Sequence, residues 1–548
     1  MLHSMLSAFR APQSPVARLW IALAAASITP AAALGAALPA PPQTFDSSYV
    51  APRGAILNVA AGGSLQSALD KAQLGDTIVL QAGATYRGSF KLPNKTVGSG
   101  WIYVVSSRLA NLPPPGTRVS PANAAYMPKI LAPNGLNALD SVANSHHYRF
   151  VGIEFAPAPE TTLSYAVVAI GSSDVSPATL AHHIIFDRCY VHGLPNSNDR
   201  RGIEMDGAYV AVVDSYISGF QWADPLVDTQ GLAAWNTTGP LQIRNNYIEA
   251  ATENVMFGGS DPSVSGLVPS DITIADNQFS KQTAWRSQNW VVKNLIELKN
   301  ARRVAIVRNT FEYNWEGGQS GYAVVFTVRN QDGGCPWCTV DHVSFEQNVV
   351  QHSAAGIQIL GYDSDHPSQQ TRTIVIRNNI FADIDSQKWG GNGYFLALSG
   401  GARDVTIDHN TIAQENASGI VNLDGAPVLE FVYTNNLSKH DAYGFIGTNR
   451  GIGDDSIYAF LPGSSISRNV MAGGPADKYP PDNSFPSTAQ FEAQFVSYAG
   501  GDYRLIASSP WRGAGTDGAD LGASSDRSPG GPSNPEPPRR PIWASVPR

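Results

Sequence analysis

The chain has 548 residues, of which 43% are hydrophobic and only 15% are charged, and it contains 51 glycines and 33 asparagines. The charged fraction is below the roughly 25% of typical soluble proteins, yet no apolar run beyond the amino terminus is long enough to span a bilayer. Intrinsic disorder is excluded, because disordered chains combine high net charge with few aromatic and β-branched residues. Low charge with abundant glycine and asparagine indicates many tight turns and few exposed helices.

The amino-terminal segment 1–37 is predicted to be an export signal. Arg10 and Arg18 precede the apolar run 19–28, and a stretch of small residues follows at 30–37. The run is too short for a membrane anchor and its flanks suit cleavage, with an uncleaved anchor as the alternative. We therefore expect a secreted or periplasmic protein that has no membrane span once the signal is removed.

The charge distribution limits the possible partners. The full chain carries a net charge of −8, and leaving out the signal and the tail 524–548 changes this to −12. An acidic exported body excludes nucleic acid as the expected partner, because nucleic-acid binders present a basic surface. The proline-rich tail is predicted to be disordered, residues 38–54 to be a linker, and residues 55–523 to fold as one domain. We expect a monomer.

A repeated pattern organises the domain: two apolar residues two apart, an asparagine three positions on, and another apolar residue two later. One copy is Leu241-Gln-Ile243-Arg-Asn-Asn246-Tyr-Ile248, and several successive copies lie 31 residues apart. An alternation of period 2 that is rich in Val, Ile and Phe predicts strands rather than helical repeats. The column continues at Asn277, Asn309, Asn348, Asn379, Asn410, Asn436 and Asn469, and upstream it holds Ile153, Cys189 and Ser215.

Stacked coils of this length bury their inward side chains as one continuous core. The asparagines then fall at equivalent turns, where we predict a ladder of amide hydrogen bonds rather than ligand contacts. The pattern resembles the right-handed parallel β-helix of the pectin-lyase-like superfamily, which has such a ladder. The resemblance implies an all-β, single-stranded solenoid of about 11 or more coils. Segment 64–80 is similar to the capping helix and first strand of these proteins, with Ser64 as the N-cap.

Two of the three cysteines lie close together in Gly334-Cys335-Pro336-Trp337-Cys338. In an oxidising compartment they are predicted to close a small loop through a disulfide. A redox site is disfavoured, because a thioredoxin-type pair opens a helix whereas this pair lies in a glycine-rich turn. A metal site is the remaining alternative.

Tryptophan and basic residues point to one region for function. Seven of the eleven tryptophans lie between residues 222 and 389, outside the ladder strands. For the group, stacking on a sugar is favoured over loop packing, and Trp285, Trp290 and Trp315 are predicted to contact substrate. Residues 281–329 carry a net charge of +5. This segment is predicted to attract an anionic ligand, with solvated strand ends as the alternative.

Polar side chains that do not help the coils to pack recur in four successive coils: Glu253 and Asn254, then Lys293, Asn294 and Glu297, then Arg329, then Asp363 and His366. Neighbouring coils are one strand spacing apart, so these groups are predicted to converge. Glu253, Asn254 and Glu297 are predicted Ca²⁺ ligands, since Ca²⁺ takes carboxylate and amide oxygens. The polar residues predicted to contact substrate are Asn294, Asp363 and His366.

The predicted reaction is β-elimination of a polysaccharide that contains uronate. Lys293 would be the base, Arg329 or a metal would neutralise the carboxylate or the leaving group, and Glu297 completes the catalytic set. This arrangement loosely resembles the alginate- and chondroitin-cleaving lyases of this fold, which combine a lysine base, an arginine and Ca²⁺. The spacing of the residues here does not match that of those enzymes closely.

Two alternatives remain open. Hydrolysis needs two carboxylates that flank the glycosidic bond, and four candidates are present. The motif set of the polygalacturonases is absent, however, and Asp454-Asp455, the single Asp-Asp pair, lies in a glycine-rich loop. A non-catalytic glycan-binding or adhesin-type β-helix is the third possibility. The carboxylate candidates for hydrolysis are Glu204, Asp206, Glu253 and Glu297.

Overall fold

The computed structural model describes residues 38–524 with the exception of Asn289. The predicted export signal and all but the first residue of the predicted tail lie outside the described residues. Within them, three long sheets run the length of the domain, and every neighbouring pair of strands in these sheets is parallel. Each coil of the chain adds one strand to each sheet in the same order. The predicted fold, a right-handed parallel β-helix, is confirmed.

The three sheets are numbered in the order in which a coil visits them. Sheet 1 has 14 strands: Ile56–Val59, Thr77–Leu80, Ile102–Ser106, His146–Val151, His182–Asp187, Ala208–Val213, Leu241–Arg244, Ser270–Ala275, Ala301–Val307, Val340–Glu346, Arg372–Arg377, Arg403–Asp408, Leu429–Thr434 and Ser465–Ser467. Sheet 2 has 13 strands: Thr85–Arg87, Lys129–Ala132, Glu154–Pro157, Tyr190–His192, Tyr216–Phe220, Tyr247–Ala250, Gln278–Ser280, Thr310–Asn314, Val349–Ser353, Ile380–Asp385, Thr411–Glu415, Leu437–Lys439 and Val470–Ala472. Sheet 3 has 12 strands: Phe90–Leu92, Leu139–Ser141, Val168–Ile170, Arg201–Met205, Gln230–Ala234, Glu253–Phe257, Asn294–Leu298, Tyr322–Thr327, Ala355–Leu360, Leu396–Ser399, Val421–Asp424 and Phe445–Gly447.

The remaining elements are short. Two further strand pairs are Leu163–Ser164 with Asn198–Asp199, and Phe495–Ser497 with Asp502–Leu505. The described α-helices are α1 at Leu65–Lys71, α2 at Ser386–Trp389, α3 at Asp454–Phe460 and α4 at Thr488–Glu492. The 3₁₀ helices are Leu109–Asn111, Pro121–Tyr126, Pro177–Thr179, Thr283–Ser287 and Ala476–Lys478.

Helix α1 lies at the amino-terminal end of the coils. The Ser64 side chain accepts a hydrogen bond of 3.1 Å from the backbone N–H of Ser67, so it caps the helix. Leu65, Ala68 and Leu69 are buried and belong to the main core. The apolar face of α1 therefore packs against the first strands instead of facing solvent.

The asparagine column forms a continuous chain of hydrogen bonds along the turns between sheets 1 and 2. Asn277 Oδ1 accepts from the backbone N–H of Asn246 at 2.8 Å and from its side-chain amide at 3.0 Å. The same two contacts repeat from coil to coil as far as Asn469, which donates to Asn483 Oδ1. Upstream, the N–H of Ser215 donates to Asn246 Oδ1 at 2.8 Å. The ladder thus satisfies buried backbone groups that the turn leaves without a strand partner.

The residue before each ladder position has a left-handed backbone conformation. Its φ lies between 51° and 61° in ten coils. This conformation reverses the chain sharply between sheets 1 and 2, and Asn and Asp tolerate it better than other non-glycine residues. The ten residues are Arg188, Asp214, Asn245, Asp276, Arg308, Gln347, Asn378, His409, Asn435 and Arg468.

The parallel register places equivalent side chains directly over one another in the core. The rings of Phe150 and Phe186 stack with centroids 5.4 Å apart, and those of Phe279 and Phe311 with centroids 4.4 Å apart. One continuous apolar cluster extends from the strand Ile56–Val59 to the last coils. This is the core expected of stacked repeats, in which each coil contacts its neighbours.

Residues 38–54, predicted to be a linker, contain no helix or strand and lie against the outer face of sheet 1. The backbone N–H of Gln43 donates to Asp271 at 2.9 Å, and the guanidinium of Arg149 donates to the carbonyl of Ser47 at 2.9 Å. Phe45 packs on the apolar side chains of the same face. This segment therefore covers part of sheet 1.

The predicted disulfide between Cys335 and Cys338 is present, and both residues are buried. The third cysteine, Cys189, occupies the ladder column and is also buried. In the part of the chain that the structure describes, no helix is long and apolar enough to cross a membrane.

Candidate functional site

A cluster of charged side chains lies on the outer face of sheet 3. The register pairs Gln230 with Glu253 and Glu253 with Asn294, so these side chains follow one another from coil to coil. Leu295 and Ile296 are successive residues that both enter the core, so strict alternation breaks at the start of this strand and Asn294 remains outside. We call the cluster the polar face and define it as Asp228, Glu253, Lys293, Asn294, Glu297, Lys299 and Arg329.

Glu253 is the most perturbed group of the polar face. Its side chain is fully buried, and its Oε2 accepts a hydrogen bond of 2.8 Å from Gln230. Its Oε1 has no hydrogen-bond partner among the described residues and lies 3.9 Å from Lys293 Nζ. Burial, together with the charges of Asp228 and Glu297, raises the pKa of Glu253 to about 7.

Two lysines accompany these carboxylates. Lys293 Nζ is paired with Asp228 Oδ1, and Lys299 Nζ lies 3.8 Å from Glu297 Oε1. Burial acts against the charge of Lys299, but the three carboxylates, that of Glu297 first, raise its pKa. Two cations therefore face three carboxylates. Both lysines are held as ion-pair partners in this structure, including Lys293, which the sequence suggests as the base.

Asn254, predicted to bind a metal beside Glu253, has its side chain bonded to protein groups instead. Its amide donates to the carbonyls of Ile248 and Ser280 at 2.7 and 2.8 Å, and its Oδ1 accepts from Lys281 Nζ at 2.9 Å. Asn254 occupies the position that Leu295 takes in the next coil, which belongs to the core. Its side chain therefore points away from the outer face and is fully used inside.

Asn294, and not Asn254, is the asparagine that lies next to Glu253 on the polar face. Its amide donates to Glu297 Oε2 at 2.9 Å and to Gln319 Oε1 at 3.2 Å, while its Oδ1 has no hydrogen-bond partner among the described residues. Asn294 is fully buried, so it does not offer a surface to a substrate as predicted. Asn294, whose Oδ1 lacks a partner, and Glu253, whose Oε1 lacks one, face each other in the register of neighbouring strands. Carboxylate and amide oxygens such as these two are the kind of ligand that Ca²⁺ takes in proteins.

Arg329 and Asp363, predicted for catalysis and for substrate binding, form a pair with each other. Arg329 Nη1 donates to Asp363 Oδ1 at 2.9 Å, and Asp363 Oδ2 accepts from the backbone N–H of Asn330 at 2.8 Å. Asp363 therefore orients Arg329 instead of being free for a ligand. His366 is exposed and lies beside Gly333, in the loop that carries the disulfide.

The predicted tryptophans gather around an open cavity of about 440 Å³. Trp285, Trp290 and Trp315 line it together with Trp389, which was not among the predicted site residues. Trp389 belongs to the seven tryptophans between residues 222 and 389, and that grouping is the sequence signal that could have identified it. Trp290 is half-buried and the most exposed of the four, whereas the other three are buried. The guanidinium of Arg286 lies 5.2 Å from the ring centre of Trp389. We call this site the tryptophan cavity.

One loop connects the tryptophan cavity to the polar face. Gly318 donates its N–H to the carbonyl of Val292 at 2.7 Å, and the amide of Asn314 donates to the carbonyl of Lys293 at 3.3 Å. Gln319 of the same loop is bonded to Asn294. A ligand in the cavity therefore lies next to the segment that carries Lys293.

The positive charge predicted for residues 281–329 is largely neutralised by neighbouring coils. Arg303 is paired with Asp271 at 2.7 Å and Arg302 lies 3.8 Å from Asp341. Lys281 is buried under carbonyl groups. The predicted attraction for an anion therefore does not arise from this segment as a whole.

Comparisons with protein-family models and with curated protein sequences found no match. Among solved structures, an alginate lyase from Paenibacillus sp. str. FPU-7 is similar, with 15% identity, a TM-score of 0.38 and coverage of 60% of this chain and 94% of that chain. The PL6 family alginate lyase AlyGC is 14% identical with a TM-score of 0.40, and covers 78% of this chain and 53% of that chain. This chain therefore matches about half of the length of AlyGC. A GH87 alpha-1,3-glucanase from Streptomyces thermodiastaticus strain HF3-3 is 10% identical with a TM-score of 0.44, and covers 81% of this chain and 69% of that chain.

Proposed function

We propose that the protein is an exported carbohydrate-active enzyme that cleaves an acidic polysaccharide by β-elimination at the polar face. The observation that carries the proposal is the pair of unpartnered oxygens, Glu253 Oε1 and Asn294 Oδ1, beside two lysines. Oxygen acceptors that lack a donor favour a bound cation, and a lysine next to a cation suits proton removal beside a carboxylate.

The proposed residues that hold Ca²⁺ are Glu253, Asn294 and Glu297. When bound, the ion would supply positive charge against the uronate carboxylate of the substrate. The two oxygens of this face that have no hydrogen-bond partner among the described residues are the positions proposed for the ion.

In the proposed elimination, Lys293 takes the proton from the carbon next to the uronate carboxylate. The electron pair of the broken C–H bond forms a double bond in the sugar ring, and the glycosidic C–O bond breaks on its other side. The leaving oxygen then takes a proton from water. Lys293 needs its neutral form for this step, so its ion pair with Asp228 has to open and its proton has to pass to solvent before the reaction. Arg329 and Lys299 add positive charge beside the reacting carboxylate.

The tryptophan cavity is the proposed sugar-binding part of the groove. Flat aromatic side chains bind the apolar faces of sugar rings, and Trp290 presents the largest accessible surface of the four tryptophans. The loop that links the cavity to Lys293 supports a polysaccharide that extends across both sites. Export of the protein, from the signal predicted at residues 1–37, is consistent with a polymeric substrate outside the cell.

A glycoside hydrolase is the second candidate. Glu253 and Glu297 lie on neighbouring strands, and the charge of Glu297 contributes to the raised pKa of Glu253. One carboxyl that keeps its proton near pH 7 and one carboxylate that has lost it is the arrangement that hydrolysis of a glycoside requires. In this candidate no Ca²⁺ occupies the oxygen of Glu253.

The test is an activity screen on alginate, pectate, glycosaminoglycans and neutral glucans, with and without a chelator. Unsaturated uronate is followed by its ultraviolet absorbance and all cleavage by new reducing ends. We expect unsaturated product from an acidic substrate, lost on chelation and restored by Ca²⁺. New reducing ends without unsaturated product, insensitive to chelation, would establish the hydrolase instead.

Three variants sharpen the test. Glu253→Gln is expected to lose Ca²⁺ binding in calorimetry together with activity. Lys293→Met is expected to keep Ca²⁺ binding and to lose activity by about 10²–10⁴-fold. Glu346→Gln is the matched control, because Glu346 is paired with Arg377 at 2.8 Å in sheet 1, away from the polar face. Sugar binding without cleavage of any substrate would refute the enzyme and leave a glycan-binding β-helix.

A further inference from the structure

Two histidine doublets occupy equivalent positions in successive coils of sheet 1. The register pairs His182 with His146, so the second doublet lies directly over the first. The rings of His146 and His182 stack with centroids 4.9 Å apart, and those of His147 and His183 with centroids 4.5 Å apart. Both stacks are parallel to within 3°. Four imidazoles separated in the sequence therefore form one compact cluster.

The ring nitrogens of the cluster face one another. Within each doublet the two Nδ1 atoms lie 2.8 Å apart. One ring nitrogen each from His147, His182 and His183 all lie within 4.8 Å of one another.

Aromatic side chains surround the cluster on its outer side. Tyr209 stacks on His183 with centroids 4.3 Å apart, and Trp101 lies 5.2 Å from His147. Phe45, from the segment that covers sheet 1, lies 6.3 Å from His183. A cavity of about 370 Å³ lined by His182, His183 and Tyr209 reaches the cluster from solvent. The histidines are thus half-buried and accessible to a small ion.

We propose that this cluster binds one divalent transition-metal ion through His147, His182 and His183, with Cu²⁺ and Ni²⁺ preferred. Neutral imidazole is a preferred ligand of both ions. The Nδ1 atoms of His182 and His183 share a hydrogen bond of 2.8 Å, and once an ion displaces the shared hydrogen and lies about 2.05 Å from each nitrogen, they subtend an angle of about 90° at it. This is the angle between neighbouring ligands in square-planar and octahedral sites, whereas a tetrahedral Zn²⁺ site needs a wider one. The ion joins two coils of sheet 1, and the site is separate from the polar face on sheet 3.

The test is calorimetric titration of the metal-stripped, tag-free protein with Cu²⁺, combined with electron paramagnetic resonance. We expect one tightly bound ion per chain. The double variant His147→Asn, His183→Asn is expected to bind it at least a hundredfold more weakly. Asparagine is chosen because these residues have φ of 58° and 55°, which asparagine tolerates. His342→Asn is the matched control, since His342 lies in sheet 1 with φ of 57° and is expected to leave binding unchanged.

A measurement on the parent keeps the test independent of how the variants fold. In protein labelled with ¹⁵N-histidine, the Cu²⁺ signal is expected to show hyperfine splitting from two or more histidine nitrogens. A parent that takes up no stoichiometric Cu²⁺, or a signal without histidine nitrogens, overturns the proposal. So does a folded double variant that binds Cu²⁺ as tightly as the parent does.

Discussion

Replacing Asn309 with alanine removes one rung of the asparagine ladder from the middle of the domain. The Oδ1 of Asn309 accepts from the backbone N–H and from the side-chain amide of Asn277, each at 3.0 Å. Its Nδ2 donates to the carbonyl of Ile274 and to Asn348 Oδ1, each at 3.0 Å. These contacts are buried. Alanine keeps the backbone N–H of residue 309, which continues to donate to Asn348 at 2.8 Å.

The expected cost follows from these four contacts. A buried hydrogen bond contributes about 1 kcal/mol net, and a buried donor left without a partner costs a further ~1–3 kcal/mol. The backbone N–H of Asn277 is such a donor after the substitution, so we expect a loss of about 5 kcal/mol. Because each coil contacts its neighbours, the loss is concentrated in the turns at 277, 309 and 348. It corresponds to local opening that is roughly 5 × 10³-fold more frequent.

Hydrogen exchange followed by mass spectrometry measures this effect in each turn. Peptides that contain residues 277, 309 and 348 are expected to exchange roughly 5 × 10³-fold faster in Asn309→Ala than in the parent. Asn58→Ala is the control, because Asn58 is exposed on the first strand of sheet 1 and is expected to change nothing. A rise in exchange of less than tenfold in the three turns would show that the hydrogen bonds of Asn309 do not stabilise the coils to this extent.

Three other predictions concern buried polar groups. Lys281 Nζ donates to the carbonyls of Ala250, Ala251 and Thr252 at 2.9–3.1 Å. Lys281→Met is therefore expected to lower the free energy of unfolding, measured by urea titration, by roughly 2–4 kcal/mol. An unchanged urea midpoint would contradict this. Burial raises the pKa of the Cys189 thiol to about 12. A maleimide is therefore expected to label the protein in denaturant and not in buffer. Labelling of the folded protein would show that the core around Cys189 is open to the reagent. Burial raises the pKa of Asp206 from 3.8 to about 7, so its contribution to stability is present below pH 3.8 and is lost as the pH rises through 7. Asp206→Asn is therefore expected to gain roughly 4 kcal/mol on the parent between pH 4 and pH 8, and parallel pH profiles would exclude the shift.

The fold could be predicted because its determinants repeat within short stretches of sequence. Alternating apolar residues fix each strand, and the ladder asparagine marks the turn that follows it. Asn483 was not predicted to belong to the ladder, because it lies 14 residues beyond Asn469, less than half of a typical coil, and no copy of the strand pattern surrounds it. It completes the ladder through the same amide contacts without completing a coil.

The candidate site was harder to predict because side-chain direction depends on corners in the backbone. The segment that begins Glu253-Asn254-Val255 does not reveal which of its polar residues faces outward. The structure turns two successive residues inward at this corner, and Asn254 is the first of them. The histidine doublets were missed for a related reason, since His146 and His182 become neighbours only once the register is known.

Charge in this fold is balanced between coils and not along the chain. Arg303 is paired with Asp271 from the preceding coil, and Lys293 is paired with Asp228 from two coils earlier. A count over residues 281–329 therefore records cations whose partners lie elsewhere, which is why its value of +5 did not identify the site. The polar face combines charges from several coils with incomplete pairing: Glu253 keeps an oxygen without a hydrogen bond although two lysines are close. Function is best sought where the coils leave such a group unpaired.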